Sequence, residues 1–177
     1  MKILAFAGSN SSTSINFQLV KYTVSLLKDH DIQLYDMAGM PFPMYSADTE
    51  KEAGFKNSLR EFREEIRKAD RIVLSVNEHN GGPSAYFKNF LDWLSRLDRE
   101  FMAGKSVYLM STSPGRGGAE SSRNYVEIAL KHAGGNVAET FSLPSFNHTF
   151  DKEQQVISDE ALNKEHSEKL ESFMKGE

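Results

Sequence analysis

The chain has 177 residues, 39% of them apolar, with 21 basic and 25 acidic side chains and a formal net charge of −4. That length suits one domain with a full core, so residues 1–177 are read as a single domain, and basic residues this scattered argue against a nucleic-acid partner. Cysteine is absent and His30, His79, His132, His148 and His166 have no metal-ligand spacing, which excludes disulfides, thiolate chemistry and a metal site and leaves single histidines read as surface residues.

Ile3 to Ala7 is a short apolar run suited to a strand buried on both faces, and it breaks at Gly8. A polar loop then runs into a helical pattern from Ile15 to Leu27, where Ile15, Leu19, Val20, Val24, Leu26 and Leu27 lie along one stripe. A loop of this composition at a helix N-terminus offers hydroxyls and unpaired N–H groups on the positive end of the helix dipole, which suits an oxyanion such as phosphate. An N-cap at Thr13 or Ser14 needs one polar side chain, whereas Gly8 to Ile15 holds six in eight positions. The loop has neither a Gly-x-Gly-x-x-Gly pattern nor a Gly-Lys-Ser/Thr, so a mononucleotide phosphate is the better fit.

Asp31 to Met37 reads as a second strand. In Ala38 to Tyr45 two prolines forbid regular structure while Phe42, Met44 and Tyr45 are apolar, so this loop is expected to be covered by the domain itself or by a second subunit. An amphipathic helix is expected over Ala53 to Ala69, a central strand over Arg71 to Val76, a Gly-rich turn over Asn77 to Pro83 and a helix over Ala85 to Leu97. On that helix Trp93 and Asp92 are read as core and cap-type residues, and Lys88 as surface. Ser106 to Ser111 is the fourth strand. A second Gly-rich loop leads to a helix over Arg123 to His132, stopped at Gly134-Gly135, then a fifth strand over Asn136 to Phe141 and a terminal helix over Asp159 to Met174.

Alternation of this kind implies an α/β fold: a flavodoxin-like, doubly wound, five-stranded parallel sheet of order 2-1-3-4-5 with helices on both faces. Ligands of such sheets sit beyond the carboxyl ends of the strands where the order reverses. The loops after strands one, three and four feed that edge, and they are the most polar and Gly-rich in the chain. Gly81 and Gly82 allow backbone to approach a flat ring, and Gly117 or Gly118 N–H groups suit the pyrimidine end of a flavin, where charge collects on reduction. The competing reading of the first of these loops is a tight turn and a helix cap at Ser84. Arg116 could add charge stabilisation at that pyrimidine end, and for a single loop arginine the favoured reading is a solvated side chain. No apolar run reaches membrane-spanning length and no signal-peptide pattern precedes the first strand, so no membrane contact and a cytoplasmic address are expected.

Gly8-Ser9-Asn10-Ser11-Ser12-Thr13-Ser14-Ile15-Asn16 resembles the Gly-Ser-x-Arg-x-x-Ser-x-Asn loop of the NADPH-dependent FMN reductase family, which includes quinone, azo-dye and chromate reductases. Asn77-Glu78-His79-Asn80-Gly81, followed by Phe87-Lys88-Asn89 and Asp92-Trp93, is similar to that family's Pro-Glu-Tyr-Asn loop and Leu-Lys-Asn-x-x-Asp-Trp helix, and Pro41 to Tyr45 fits its Pro-rich loop. The resemblance runs to about Phe141. It implies bound FMN, NADPH or NADH as electron donor, a small-molecule electron acceptor and a homodimer or homotetramer. By position, Ser9, Ser11, Ser14 and Asn16 would hold the phosphate, with Asn10 and Ile15 in the same loop. Asn77, Glu78, His79, Asn80 and Gly81 would line the isoalloxazine, with Ser113, Gly117 and Gly118 behind it.

Departures are visible: Ser11 stands where the family has Arg, Asn77 replaces Pro, His79 replaces Tyr, and Ser84 stands at the family's loop Pro, with Pro83 one place earlier. Losing the Arg removes a charge-assisted partner worth about 1.5–3 kcal/mol, or roughly ten- to hundredfold in affinity. The expected activity is an NAD(P)H oxidoreductase that passes hydride through FMN to a quinone-like acceptor or free flavin, with no catalytic side chain required. The alternatives are a non-enzymatic flavodoxin-like electron carrier, for which −4 is not strongly acidic, and a nucleotide-binding regulatory subunit.

Overall fold

The computed structural model describes residues 1–176. Five strands, β1 (Lys2–Ala7), β2 (Asp31–Tyr35), β3 (Arg71–Val76), β4 (Ser106–Thr112) and β5 (Asn136–Leu143), pair in parallel in the order β2-β1-β3-β4-β5. This is the flavodoxin-like order expected from the alternation of elements. The helices are α1 (Ile15–Ser25), α2 (Ala47–Ala53), α3 (Asn57–Lys68), α4 (Ala85–Leu97), α5 (Glu120–His132), α6 (Phe146–Thr149) and α7 (Glu160–Lys175).

Successive strand residues point to opposite faces. Leu4, Phe6, Ile72, Leu74, Val107 and Leu109 therefore share a core with α3, α4 and α5, while Ile3, Ala5, Val73, Tyr108 and Met110 share one with α1 and α7. Because both faces are covered, the central strands read as continuous apolar runs. At the end of β1 the Gly8 N–H donates to Ser75 C=O (2.9 Å), and Ser84 Oγ donates to Gly8 C=O (3.2 Å). A Cβ on Gly8 would lie 2.6 Å from the Phe87 ring, so only glycine lets α4 close on the strand end.

Several boundaries differ from the periodicity. The helix expected over Ala53 to Ala69 is two helices: Ser46 caps α2 by accepting from Thr49 N–H, Gly54 at φ +62° ends it, and α3 starts at Asn57. β2 stops at Tyr35 because Asp36 caps a 3₁₀ turn over Met37–Gly39. α5 starts at Glu120, three residues before the expected Arg123, and β5 continues to Leu143 rather than ending at Phe141. Short elements too brief to show a period were not anticipated: the hairpin pairing Glu78–His79 with Gly82–Pro83, α6, and a hairpin pairing Phe150–Asp151 with Val156–Ile157.

The proline loop is covered from within the chain. Phe42 stacks on Tyr86 (centroids 5.0 Å apart), and Pro43 C=O accepts from Trp93 Nε1 (2.8 Å) and Asn89 Nδ2 (2.9 Å). Asn89 Oδ1 accepts from Tyr45 N–H (2.7 Å), and Tyr86 OH donates to Met37 and Met40 C=O. Trp93 is buried as expected, while Asp92 is not a cap and pairs with Lys88 on the surface (2.6 Å). Met44 alone of the loop's large side chains stays open, 69% exposed.

His166, expected at the surface, is fully buried on α7 among the rings of Tyr22, Tyr108 and Phe141, with Nε2 2.9 Å from Thr23 Oγ1. Burial pushes its pKa down from 6.5 to about 4. The unfolded chain then takes up a proton that the folded chain refuses, so this contribution is complete above the ordinary value and is lost as pH falls toward the folded one.

Two measurements check these points. Gly8→Ala is expected to cost about 1–3 kcal/mol, seen as a lower denaturation midpoint with an unchanged slope. Between about pH 6.5 and pH 4 the wild type should lose up to about 1.4 kcal/mol per pH unit more stability than His166→Leu, and parallel pH profiles would contradict the assignment.

Candidate functional site

The carboxyl ends of β1, β3 and β4 open on a crevice of about 260 Å³, beside the point where strand order reverses between β1 and β3. Its first wall is the loop after β1. Ser14 caps α1 by accepting from Phe17 N–H (3.2 Å), Ser9 Oγ accepts from Ser11 N–H (3.3 Å), and Ser11 Oγ accepts from Thr13 N–H (3.3 Å). A hydroxyl that accepts one bond still has its own proton to give, so Ser9 and Ser14 remain donors. The N–H groups of Ile15 and Asn16, the first two of the helix, have no protein acceptor among the described residues. This wall therefore lines the crevice with neutral donors.

Asn16 is 1% exposed and its carboxamide is engaged inside the protein. Oδ1 accepts from Thr112 N–H (3.0 Å) and Ser75 Oγ (2.7 Å), and Nδ2 donates to Thr112 C=O (3.1 Å). The side chain expected to hold phosphate clamps α1 to the ends of β3 and β4.

The second wall is the loop after β3. Asn80 and Gly81 at φ +54° and +80° make the tight turn of the hairpin, as Asn-Gly pairs favour. The turn tip faces solvent, outside the crevice. Asn77, Glu78 and His79 line it, with Asn77 Nδ2 3.2 Å from His79 Nε2 and Asn77 Oδ1 buried without a partner. The Glu78 carboxylate is turned toward α5, where Oε2 accepts from Ser122 N–H (3.1 Å). Ala119 occupies the α5 N-cap position at φ +64° and has no polar side chain to give, so Glu78 caps that helix from another loop. Ser84 caps α4, so the turn-and-cap geometry coexists with the crevice.

The third wall is Thr112, Ser113 and Pro114. Beyond it Gly118 N–H bonds Gly115 C=O (3.3 Å) and Gly118 C=O accepts from Ser111 Oγ (2.7 Å), so the donor expected at Gly118 is occupied locally. Gly117 and Arg116 are exposed and lie outside the crevice.

Of the residues singled out in the sequence, Ser9, Ser11, Ser14, Ile15, Asn16, Asn77, Glu78, His79 and Ser113 come together around the crevice, and Asn10, Asn80, Gly81, Gly117 and Gly118 do not. Thr13, Thr112 and Pro114 line it and were not singled out, though Thr112 is flagged by its place just after the apolar run of β4. Ser75 and Ser122, which hold the walls in place, carry no local signal at all. Among the lining residues the ionisable side chains are Glu78 and His79, so no cation faces the serine wall.

Comparison with known proteins identifies the family and the fold. The family model described as NADPH-dependent FMN reductase matches residues 1–148. An NAD(P)H-dependent FMN reductase of Pseudomonas aeruginosa is 30% identical over 131 residues, 73% of this chain and 69% of that protein. A quinone reductase of Escherichia coli is 41% identical over 73 residues, 41% of this chain and 39% of that protein. The flavoenzyme NAD(P)H:(acceptor) oxidoreductase FerB from Paracoccus denitrificans superposes with a TM-score of 0.78 over 98% of this chain and 95% of its own, at 22% identity, which speaks to the fold. The chain belongs to the NADPH-dependent FMN reductase family.

Proposed function

We propose that the protein is an FMN-dependent NAD(P)H oxidoreductase that delivers reducing equivalents from NADPH or NADH to a quinone-like acceptor or to free flavin. The observation that carries this reading is the convergence, on one crevice, of the free N–H groups of Ile15 and Asn16 with the Ser9 and Ser14 hydroxyls. These groups fit a phosphate monoester, and Asn77, Glu78, His79 and Ser113 line the rest of the crevice, where a ring would lie.

FMN, when bound, supplies the two-electron chemistry. In this assignment Ser9, Ser11 and Ser14 hold the phosphate and Asn16 keeps α1 pointed at it through Thr112 and Ser75. Asn77, Glu78 and His79 face the ring through backbone and side chain, with Ser113 beside them. Asn10, Asn80, Gly81, Gly117 and Gly118 serve as flanking positions. No side chain is asked to act as nucleophile or metal ligand.

The whole chain is taken as one FMN-binding domain, cytoplasmic, and assembled as a homodimer or homotetramer. No helix among the described residues is long and apolar enough to cross a membrane. Support for self-association lies less in the proline loop, which the chain covers itself, than in the open groove between α4 and α5. There Tyr125, 44% exposed, borders Leu91, Phe101 and Ala129, and Ile128, 58% exposed, lies one helical turn along.

Two experiments test the reading. Titration of the purified protein with FMN should quench flavin fluorescence to saturation, and NADPH with benzoquinone should then be consumed steadily without any added reductase; absence of both would end the proposal. Because no cation lines the serine wall, Ser11→Arg is expected to tighten FMN binding about ten- to hundredfold while leaving riboflavin binding unchanged, measured by the same titration.

A further inference from the structure

Ser122 lies outside every motif recognised in the sequence, yet it is completely buried on the first turn of α5 and holds the second wall of the crevice at two points. Its hydroxyl donates to Asn77 C=O (2.7 Å), and its N–H donates to the Glu78 carboxylate (3.1 Å). Serine in a helix interior usually turns its hydroxyl back on its own helix. Here the hydroxyl reaches across to another loop, and the partner is the carbonyl of Asn77, the residue just after β3.

That bond determines which way the next N–H faces. No cis peptide occurs among the described residues, and across a planar trans peptide the C=O and the following N–H point in opposite directions. With Asn77 C=O held against α5, Glu78 N–H points away from α5, and no residue of α5 lines the crevice that Glu78 borders. The hairpin does not consume it: in a two-residue hairpin the turn-proximal pair His79 and Gly82 exchanges the cross-strand bonds, and the next pair, Glu78 and Pro83, is a non-hydrogen-bonded one. The Glu78 carboxylate cannot compete for the ligand either, because it is engaged as the cap that Ala119 lacks.

We propose that Ser122 is a positioning residue of the flavin site: it fastens Asn77 C=O and the Glu78 carboxylate to α5 and thereby presents Glu78 N–H to the crevice as a main-chain donor for the polar edge of the ring. This rests on the FMN reading above. A donor fixed at that edge strengthens as negative charge collects on reduction, so its loss weakens the reduced form more than the oxidised form. Ser122→Ala deletes the hydroxyl and keeps the N–H to Glu78, which isolates the Asn77 bond.

The test compares wild type and Ser122→Ala by ¹⁵N NMR amide exchange with and without FMN, and by the midpoint potential of the bound flavin. In the wild type FMN should protect the Glu78 amide from exchange. In Ser122→Ala that protection should fall, and binding of reduced FMN relative to oxidised should weaken about three- to tenfold, moving the potential in the negative direction. Ser122→Thr, which keeps a hydroxyl, should return both readouts toward wild type. A purely structural serine would lower the melting point and leave protection and potential alone, and that result overturns the proposal. Failure of the wild type to bind FMN would instead overturn the functional reading, because the inference predicts a difference between variants only once flavin is bound.

Discussion

One buried carboxamide holds the functional edge of this molecule together. Asn16 sits at the second position of α1 and satisfies Ser75 at the end of β3 and both backbone groups of Thr112 at the end of β4. Strand ends at the edge of a parallel sheet have no further neighbour to complete their hydrogen bonds, and buried N–H and C=O groups left unpaired are costly. A single amide with a donor and an acceptor side answers this at two strands at once and sets the direction of the helix N-terminus. Together with the Gly8 bonds to Ser75 and Ser84, it fixes the serine loop relative to the other two walls.

The second fixed point is α5. Its N-terminus is approached through a left-handed Ala119 that offers no capping group, so the helix borrows a carboxylate from Glu78 in the loop after β3. The arrangement does two things together: it places a negative charge where the helix dipole favours one, and it engages that charge at α5 rather than at the serine wall. Arg123, four residues after Ala119, donates to Ser142, which touches Ser111, which in turn holds Gly118 C=O. The loop after β4 is thus tied to the same helical turn as the loop after β3.

A similar economy governs the proline loop. Tyr86, Asn89 and Trp93 lie along one face of α4 and spend their polar atoms on main-chain groups of Met37, Met40, Pro43 and Tyr45. Segments with two prolines have few backbone donors of their own, so their carbonyls need side-chain partners. A helix motif that reads as a family signature is, in this molecule, the brace for a loop that has no regular structure.

Periodicity and punctuation were enough to read the architecture. The apolar runs at Ile3, Ile72 and Val107, the amphipathic spacing between them and the stop at Gly134 lead to a five-stranded sheet whose order the fold reproduces, because strands buried on both faces leave a pattern that short range alone produces. The polar loops after the first, third and fourth strands could be placed at one edge for the same reason. What the chain's local pattern does not contain is the direction of individual polar groups. Whether Asn16 faces a ligand or clamps two strands, whether Glu78 lines a ring or caps a distant helix, whether His166 is wet or dry, and that Ser122 matters at all, depend on partners 44 to 143 residues away in the chain. Hydrogen bonds are decided by which groups packing brings within three ångströms or so of one another, and only the assembled layers of sheet and helix make that choice.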